Sequence, residues 1–385
     1  MKKTANSSKT YHILVTEVQY RKEFDNVSII KRLFPKEHLI LGTTKSWLFC
    51  KLSYGRCSVE RLRTEDGKDA FFQDFRALLD KYKEDTIVYF PGEEQTTDYV
   101  VDYIEQYGQG NIICLLPPAS MYKMFRNKRA LNHYCLENGF PAPKEYKVGD
   151  LPEVDYPVLL KPEIGSGSHG QHRLYGKDDY TNEIKEVLSK EPYLVQELLP
   201  NGKDVQGGFY LCHAGKVVGA YTHKRIRTSP EEGGVTVLSS LNDNPQLIEQ
   251  GKKLLEYAGW EGLIMLEYIY DDRSKEYKLI EANPRSWGSI MLSEYSGANL
   301  LSNYIRICLG QEIVVPEMKK EAYIRWFFPM DMINWAKKKG KIKGFWSFKN
   351  TCVINWTYAR KDRALFFILA SVFNLHNLKS LFGRI

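Results

Sequence analysis

Between Tyr11 and Leu116, short apolar runs alternate with amphipathic stretches, and that alternation leaves few folds open. The runs are Ile13-Leu14-Val15, His38 to Leu41, Thr86 to Phe90 and Asn111 to Leu116. Helix-periodic segments reach Leu33 and span Asp69 to Tyr82 and Tyr99 to Tyr107. Strands buried on both faces read as continuous apolar runs, and parallel neighbours need a helical crossover. A parallel sheet flanked by helices is therefore expected. No GxGxxG follows the first run, so the dinucleotide fingerprint is missing from its usual place and the unit reads as a holder of substrate rather than of NAD.

The segment 121–138 reads as one helix ending at Gly139, and Pro141 and Pro143 behind it mark a boundary. Beyond it lie short strands between Gly-rich turns: 158–161, 193–196, 204–213, 216–222, 263–270 and 277–282. That pattern predicts an antiparallel sheet. A length of 385 residues suits two or three domains, and 43% hydrophobic with 26% charged residues excludes a disordered tail or a membrane channel. The seven cysteines are scattered and never form CxxC, which argues against disulfides and structural zinc and for a reducing compartment. Residues 1–10 lack the apolar core of a signal peptide, so the expected location is cytoplasmic.

Chemistry concentrates in Leu279-Ile-Glu281-Ala-Asn283-Pro-Arg285. The two-residue period of a strand puts Glu281 and Asn283 on one face. After a polar turn from Asp271 to Glu276, the preceding apolar run carries Glu267, which can oppose them from a neighbouring strand. The three form a hard oxygen set suited to Mg²⁺ or Mn²⁺ bridging phosphates, to which Arg285 adds a fixed positive charge. An isolated ExN is usually an ordinary exposed pair. A carboxylate inside the apolar run at Glu267, however, needs a cation or a partner.

Two weaker signals precede it. Lys161 ends a strand and is followed by Gly165, Ser166, Gly167, Ser168, His169 and Gly170, whose backbone N–H groups can wrap phosphate oxygens; the plain alternative is a turn. In Tyr193-Leu-Val-Gln196-Glu197-Leu198-Leu199, main-chain groups can edge a purine, with Asp204 accepting ribose hydroxyls. The plain alternative there is strand, turn, strand. Later, Arg225 and Arg227 alternate to one side of a strand end, fit to clamp a carboxyl substrate or an acyl phosphate, or simply a solvated basic edge. His223 reads as structural.

Charge divides sharply near the end. Residues 319–385 hold 14 Lys and Arg against Glu321, Asp331 and Asp362, a net of +11, while the whole chain carries +7. Aromatic residues from Trp326 to Trp356 share the segment. It reads as a separate module, either a helical cap with a basic rim or a surface for anionic lipid or an acidic partner. No nucleic-acid reader motif is present, and none is expected to bind.

The order Lys128, Lys161 with its glycine loop, Val195-Gln196-Glu197-Leu198-Leu199, Asp204, Glu267 and Glu281-Ala-Asn283-Pro-Arg285 resembles the ATP-grasp superfamily, in particular the carbamoyl phosphate synthetase-like carboxylate-amine ligases, over residues 11–311. The resemblance implies an α/β N-terminal domain with a parallel sheet at 1–118. An α+β ATP-grasp fold follows at 119–318, with a small lobe at about 144–198 and a large lobe at about 199–318. Residues 319–385 remain a basic aromatic extension. It further implies Lys128 and Lys161 on phosphate, Gly165 to Gly170 as a phosphate lid, Gln196 to Leu199 as adenine hinge, Asp204 on ribose, Glu267, Glu281 and Asn283 on magnesium, and Arg285 beside the transferred phosphate. The implied activity is ATP-dependent ligation of a small-molecule carboxylate to an amine or thiol, in amino acid or cell-envelope metabolism. A non-catalytic ATP-binding scaffold docked through 319–385, a peripheral membrane location and a homodimer stay open at this point. No biotin-carrier attachment motif is present, which lowers carboxylase chemistry.

Overall fold

The computed structural model describes residues 10–165, 169–200, 204–229 and 235–372. They form two compact units: one of residues up to 116, 226–241 and 285 onward, the other of 117–225 and 242–284.

The first unit begins as the alternation predicts: β1 (Tyr11–Thr16), α1 (Arg21–Leu33), β2 (His38–Gly42), α2 (Trp47–Tyr54), β3 (Ser58–Glu60), α3 (Lys68–Lys81), β4 (Thr86–Tyr89), α4 (Glu94–Tyr107) and β5 (Ile112–Ile113). The sheet runs β3-β2-β1-β4-β5 with every pair parallel. Leu14, Ile40, Ile87 and Tyr89 are buried in a core shared with Phe71, Phe75 and Val100 of α3 and α4. Because β2 and β4 flank β1 on opposite sides, strand order reverses at β1, and open α/β sheets bind ligands at such a point, beyond the strands' carboxyl ends.

The second unit opens with a departure from the single expected helix. α5 (Ala119–Arg126) and α6 (Lys128–Glu137) are separate, broken at Asn127 (φ −92°, ψ 119°). The Asn127 side chain accepts from the Arg129 and Ala130 N–H groups, a cap that competes with continuing the helix and starts α6 at Lys128. There follow β6 (Glu145–Tyr146), β7 (Val158–Pro162), β8 (His172–Leu174), α7 (Asn182–Lys190) and β9 (Tyr193–Glu197). The four strands form an antiparallel sheet in the order β6-β9-β7-β8.

The larger sheet of this unit is antiparallel, as expected, with neighbours in the order β14-β13-β10-β11. Its strands are β10 (Val205–His213), β11 (Lys216–Ser229), β13 (Gly262–Asp271) and β14 (Glu276–Asn283). β11 leaves the unit after Arg225, and β12 (Val235–Asn242) returns to it at Asn242 before α8 (Pro245–Tyr257).

The chain completes the first unit with α9 (Ile290–Ser296), α10 (Leu300–Cys308), β15 (Tyr323–Arg325), α11 (Met332–Lys337), β16 (Thr351–Val353) and α12 (Lys361–Val372). The tail set apart in the sequence therefore joins, in its described part, the same compact unit as the N-terminal sheet. Packing explains the difference. Phe367 of α12 stacks on Phe24 with ring centroids 4.5 Å apart, Arg363 donates to the carbonyls of Lys51 and Leu52, and Asp25 accepts the Asn355 N–H. Among the described residues no helix is long and apolar enough to cross a membrane.

Candidate nucleotide and metal site

Antiparallel register builds the centre of the site. Glu267 on β13 stands directly opposite Glu281 on β14, and Asn283 follows two residues along, opposite Met265. A bulge after Glu267 shifts the register there. Two carboxylates facing each other across neighbouring strands repel, so this pairing persists only beside cations. The same unit supplies them: Lys128 Nζ lies 3.4 Å from Glu281 Oε1, and Arg225 Nη2 lies 3.5 Å from Glu267 Oε1.

Lys161, on β7, is buried and donates to the Ile280 carbonyl at 2.7 Å, which ties the small sheet to β14. Burial pushes its ammonium down to about 8; Glu281 opposes that shift, Lys128 adds to it and Glu267 opposes it. At neutral pH the ammonium therefore stays mostly protonated, and an approaching polyanion would favour the charged form further. Lys128 donates to the Gly165 carbonyl, which draws the start of α6 onto the loop after β7. Lys128, Lys161, Pro162, Gly165, His169, Gln171 and Glu281 line one small cleft. His169 belongs to the glycine loop named in the sequence, whereas Gln171 was not singled out; its place directly after that loop is the signal that could have found it.

A metal fits this donor set. Glu267, Glu281 and Asn283 offer two carboxylates and an amide oxygen on one face of the hairpin, the ligand type hard divalent cations take. Among the described residues no group of three His, Cys, Asp or Glu side chains forms a metal cluster; the set here has two carboxylates.

The expected hinge differs in detail. Gln196 is buried and its Oε1 finds no donor among the described residues, an acceptor left for a ligand amine. The N–H groups of Glu197 and Leu198 already donate to the carbonyls of Lys144 and Pro157, so a purine edge has to be read by other main-chain groups here. The Glu197 carboxylate holds Lys278 at 2.7 Å and Arg273 at 2.6 Å, a structural network that includes Asp271. Leu199 is buried, and Asp204 is exposed just before β10. Ser166, Gly167 and Ser168 lie outside the described residues.

The remaining arginines fall elsewhere. Arg227 belongs to the first unit, where it grips Asp331 through Nε at 2.8 Å and Nη2 at 2.6 Å, whereas Arg225 of the second unit pairs with Glu267. The partner of Arg227 lies 104 positions away, which no local pattern announces. Arg285, also in the first unit, pairs with Glu94 at 2.9 Å. His223 is pushed down to about 3 by burial, with Arg225 adding, and stays neutral as a structural residue. Another cleft of the second unit, about 630 Å³, shares no lining residue with the Lys161 cleft and holds Arg129 paired with Glu145 and Glu163. We read it as a solvated trough.

Arg285 sits in a second concentration of charge, near the carboxyl ends of β1 and β4, with Glu17, Glu23, the Lys22–Glu93 pair at 3.0 Å and Glu94. Burial pushes Glu17 up from 4.5 to about 7, the Thr96 hydroxyl opposing and Glu93 adding. Between those values the folded chain keeps a proton that the unfolded chain has released, so this group's contribution to stability falls as pH rises through that window, by about 3 kcal/mol in all. Thermal unfolding followed at pH 5 and pH 8 is expected to show a larger drop for the parent than for Glu17→Gln. Equal drops would contradict the assignment.

Comparison with known proteins agrees with this architecture. Residues 205–328 match the family model described as ATP-grasp in the biosynthetic pathway with Ter operon. The biotin carboxylase of Campylobacter jejuni, solved as a β-γ-ATP complex, superposes with a TM-score of 0.66 at 13% identity, over 82% of this chain and 75% of that one. The chain is thus similar to the ATP-grasp family over residues 205–328 and shares the fold of such structures. The L-amino acid ligase of Bacillus licheniformis shares the ATP-grasp fold with a TM-score of 0.60 at 15% identity, over 82% of this chain and 79% of that one. In sequence, the C-terminal section of the carbamoyl phosphate synthase large chain of Methanopyrus kandleri is 26% identical over 195 residues, 48% of this chain. The chain spans about a third (36%) of that relative's length.

Proposed function

We propose that the protein is an ATP-dependent ligase that joins a small carboxylate to an amine or a thiol, releasing ADP and phosphate. The observation that carries this reading is the Glu267–Glu281 pair, held face to face between Lys128, Lys161 and Arg225. Such an arrangement is unfavourable by itself and becomes favourable around a divalent cation and a polyphosphate. Glu267, Glu281 and Asn283 would hold magnesium or manganese, which would supply neutralisation of phosphate charge.

In the proposed reaction a carboxylate oxygen attacks the γ-phosphorus and ADP leaves. The amine then attacks the acyl carbon of the acyl phosphate, phosphate leaves and the nitrogen gives up a proton. The chain's own residues position and neutralise rather than bond covalently. Lys161 and Lys128 would donate to phosphate oxygens, the Gln196–Leu199 segment would receive adenine, and Asp204 the ribose. Arg225 is proposed to meet the acyl group. Arg285 and Arg227, in the first unit, are held by Glu94 and Asp331.

One observation favours a non-catalytic nucleotide-binding scaffold instead, the commitment of Arg227 and Arg285 to protein carboxylates. A phosphate-release screen with ATP, Mg²⁺ and paired acids and amines separates the two. Release that requires both an acid and an amine supports the ligase; nucleotide binding with no release from any pair contradicts it.

A further inference from the structure

We propose that the surface from Ala336 to Lys349 docks the protein onto an anionic lipid surface. Lys337, Lys338, Lys339, Lys341, Lys343 and Lys349 are all exposed, and no acidic residue occurs anywhere between Asp331 and Asp362. The same segment exposes two rings, Trp346 at 61% and Phe348 at 39%.

The exposed rings are presented by a buried scaffold. Phe345 is buried and stacks on Trp335 at 5.5 Å, and Trp346 meets Phe345 edge-on at 5.1 Å. Beneath them the Arg325 guanidinium lies over Phe327, Phe345 and Phe348. Lys339 (φ 48°), Gly340 (φ 77°) and Gly344 (φ 69°) reverse the chain so that the basic stretch folds back beside these rings, and Gly340 packs against Trp335. The core of the tail is complete without the outer face of Trp346, so burial in the fold does not account for that face.

The chemistry favours lipid over nucleic acid or an acidic protein. Every cation from 337 to 349 is lysine, a point charge suited to a diffuse anionic field, whereas bidentate reading of phosphate or carboxylate uses arginine. Tryptophan with neighbouring lysine is the pairing that seats at a membrane interface, where the ring enters the headgroup boundary and the ammonium groups meet anionic lipid. Each lysine near such a surface changes partition by about fivefold.

Vesicle flotation of the full chain tests this, and it stands apart from the ligase reading because it needs neither nucleotide nor substrate. Binding is expected to phosphatidylcholine vesicles doped with phosphatidylglycerol, not to phosphatidylcholine alone, and to weaken with salt. Joint Lys339→Gln, Lys341→Gln and Lys343→Gln substitution should weaken it roughly a hundredfold, and Trp346→Ser should weaken it at unchanged charge. No flotation with anionic vesicles overturns the proposal. So does binding that ignores Trp346→Ser and is displaced fully by RNA or polyglutamate, which would mark a general polyanion surface.

Discussion

Glu281→Gln is expected to lower turnover by roughly a thousandfold, the several kcal/mol that a metal-ligating carboxylate supplies where phosphate charge develops, while leaving the protein at least as stable as the parent. The second half of that expectation distinguishes a functional carboxylate from a structural one. Glu281 faces Glu267 across the hairpin, and like charges directly opposite cost up to about 1 kcal/mol. Removing one of them relieves that repulsion, although it also gives up the 3.4 Å contact with Lys128. Phosphate release and thermal unfolding of one preparation decide the matter. Full activity, or lost activity accompanied by a clear fall in the unfolding midpoint, would contradict the assignment.

Asp331→Ala is expected to have the largest effect on stability. Asp331 is fully buried and accepts from Arg325 Nε at 2.6 Å and from two nitrogens of Arg227. Arg325 is itself buried among aromatic rings, and burial lowers its pKa against the pull of Asp331. Removing the carboxylate leaves two guanidinium groups without their counter-ion, at a cost of about 3–5 kcal/mol. Calorimetry should show the unfolding midpoint lower by roughly 10 °C. A shift within about 2 °C of zero would mean that solvent reaches Arg325 and that the tail is less tightly packed than its geometry indicates.

What could be read from the sequence follows the range over which each signal acts. The β/α alternation to Leu116 and the hairpin around Asp271 to Glu276 are local patterns, and each appears where the spacing puts it. The facing of Glu267 and Glu281 was legible too, because a hairpin turn of known position sets the register of its strands. The break at Asn127 was masked by apolar periodicity running through it, although an asparagine able to cap was in plain view. Partners were not legible. Glu94 lies 191 residues from Arg285 and Asp25 lies 330 from Asn355, so no local pattern announces either contact. For the same reason the tail read as a module of its own. Its charge is local information, whereas the packing of Phe367 on Phe24 depends on the whole fold.

The central claim is that Glu267, Glu281 and Asn283 together hold a divalent ion that a triphosphate also touches. Crystals soaked with Mn²⁺ and a non-hydrolysable ATP analogue, measured at the manganese absorption edge, test it most directly. The expected result is an anomalous peak within about 2.0–2.6 Å of oxygens from all three side chains, with Lys161 on the phosphates. Nucleotide bound with the manganese elsewhere, or those three side chains turned away from it, would contradict the claim.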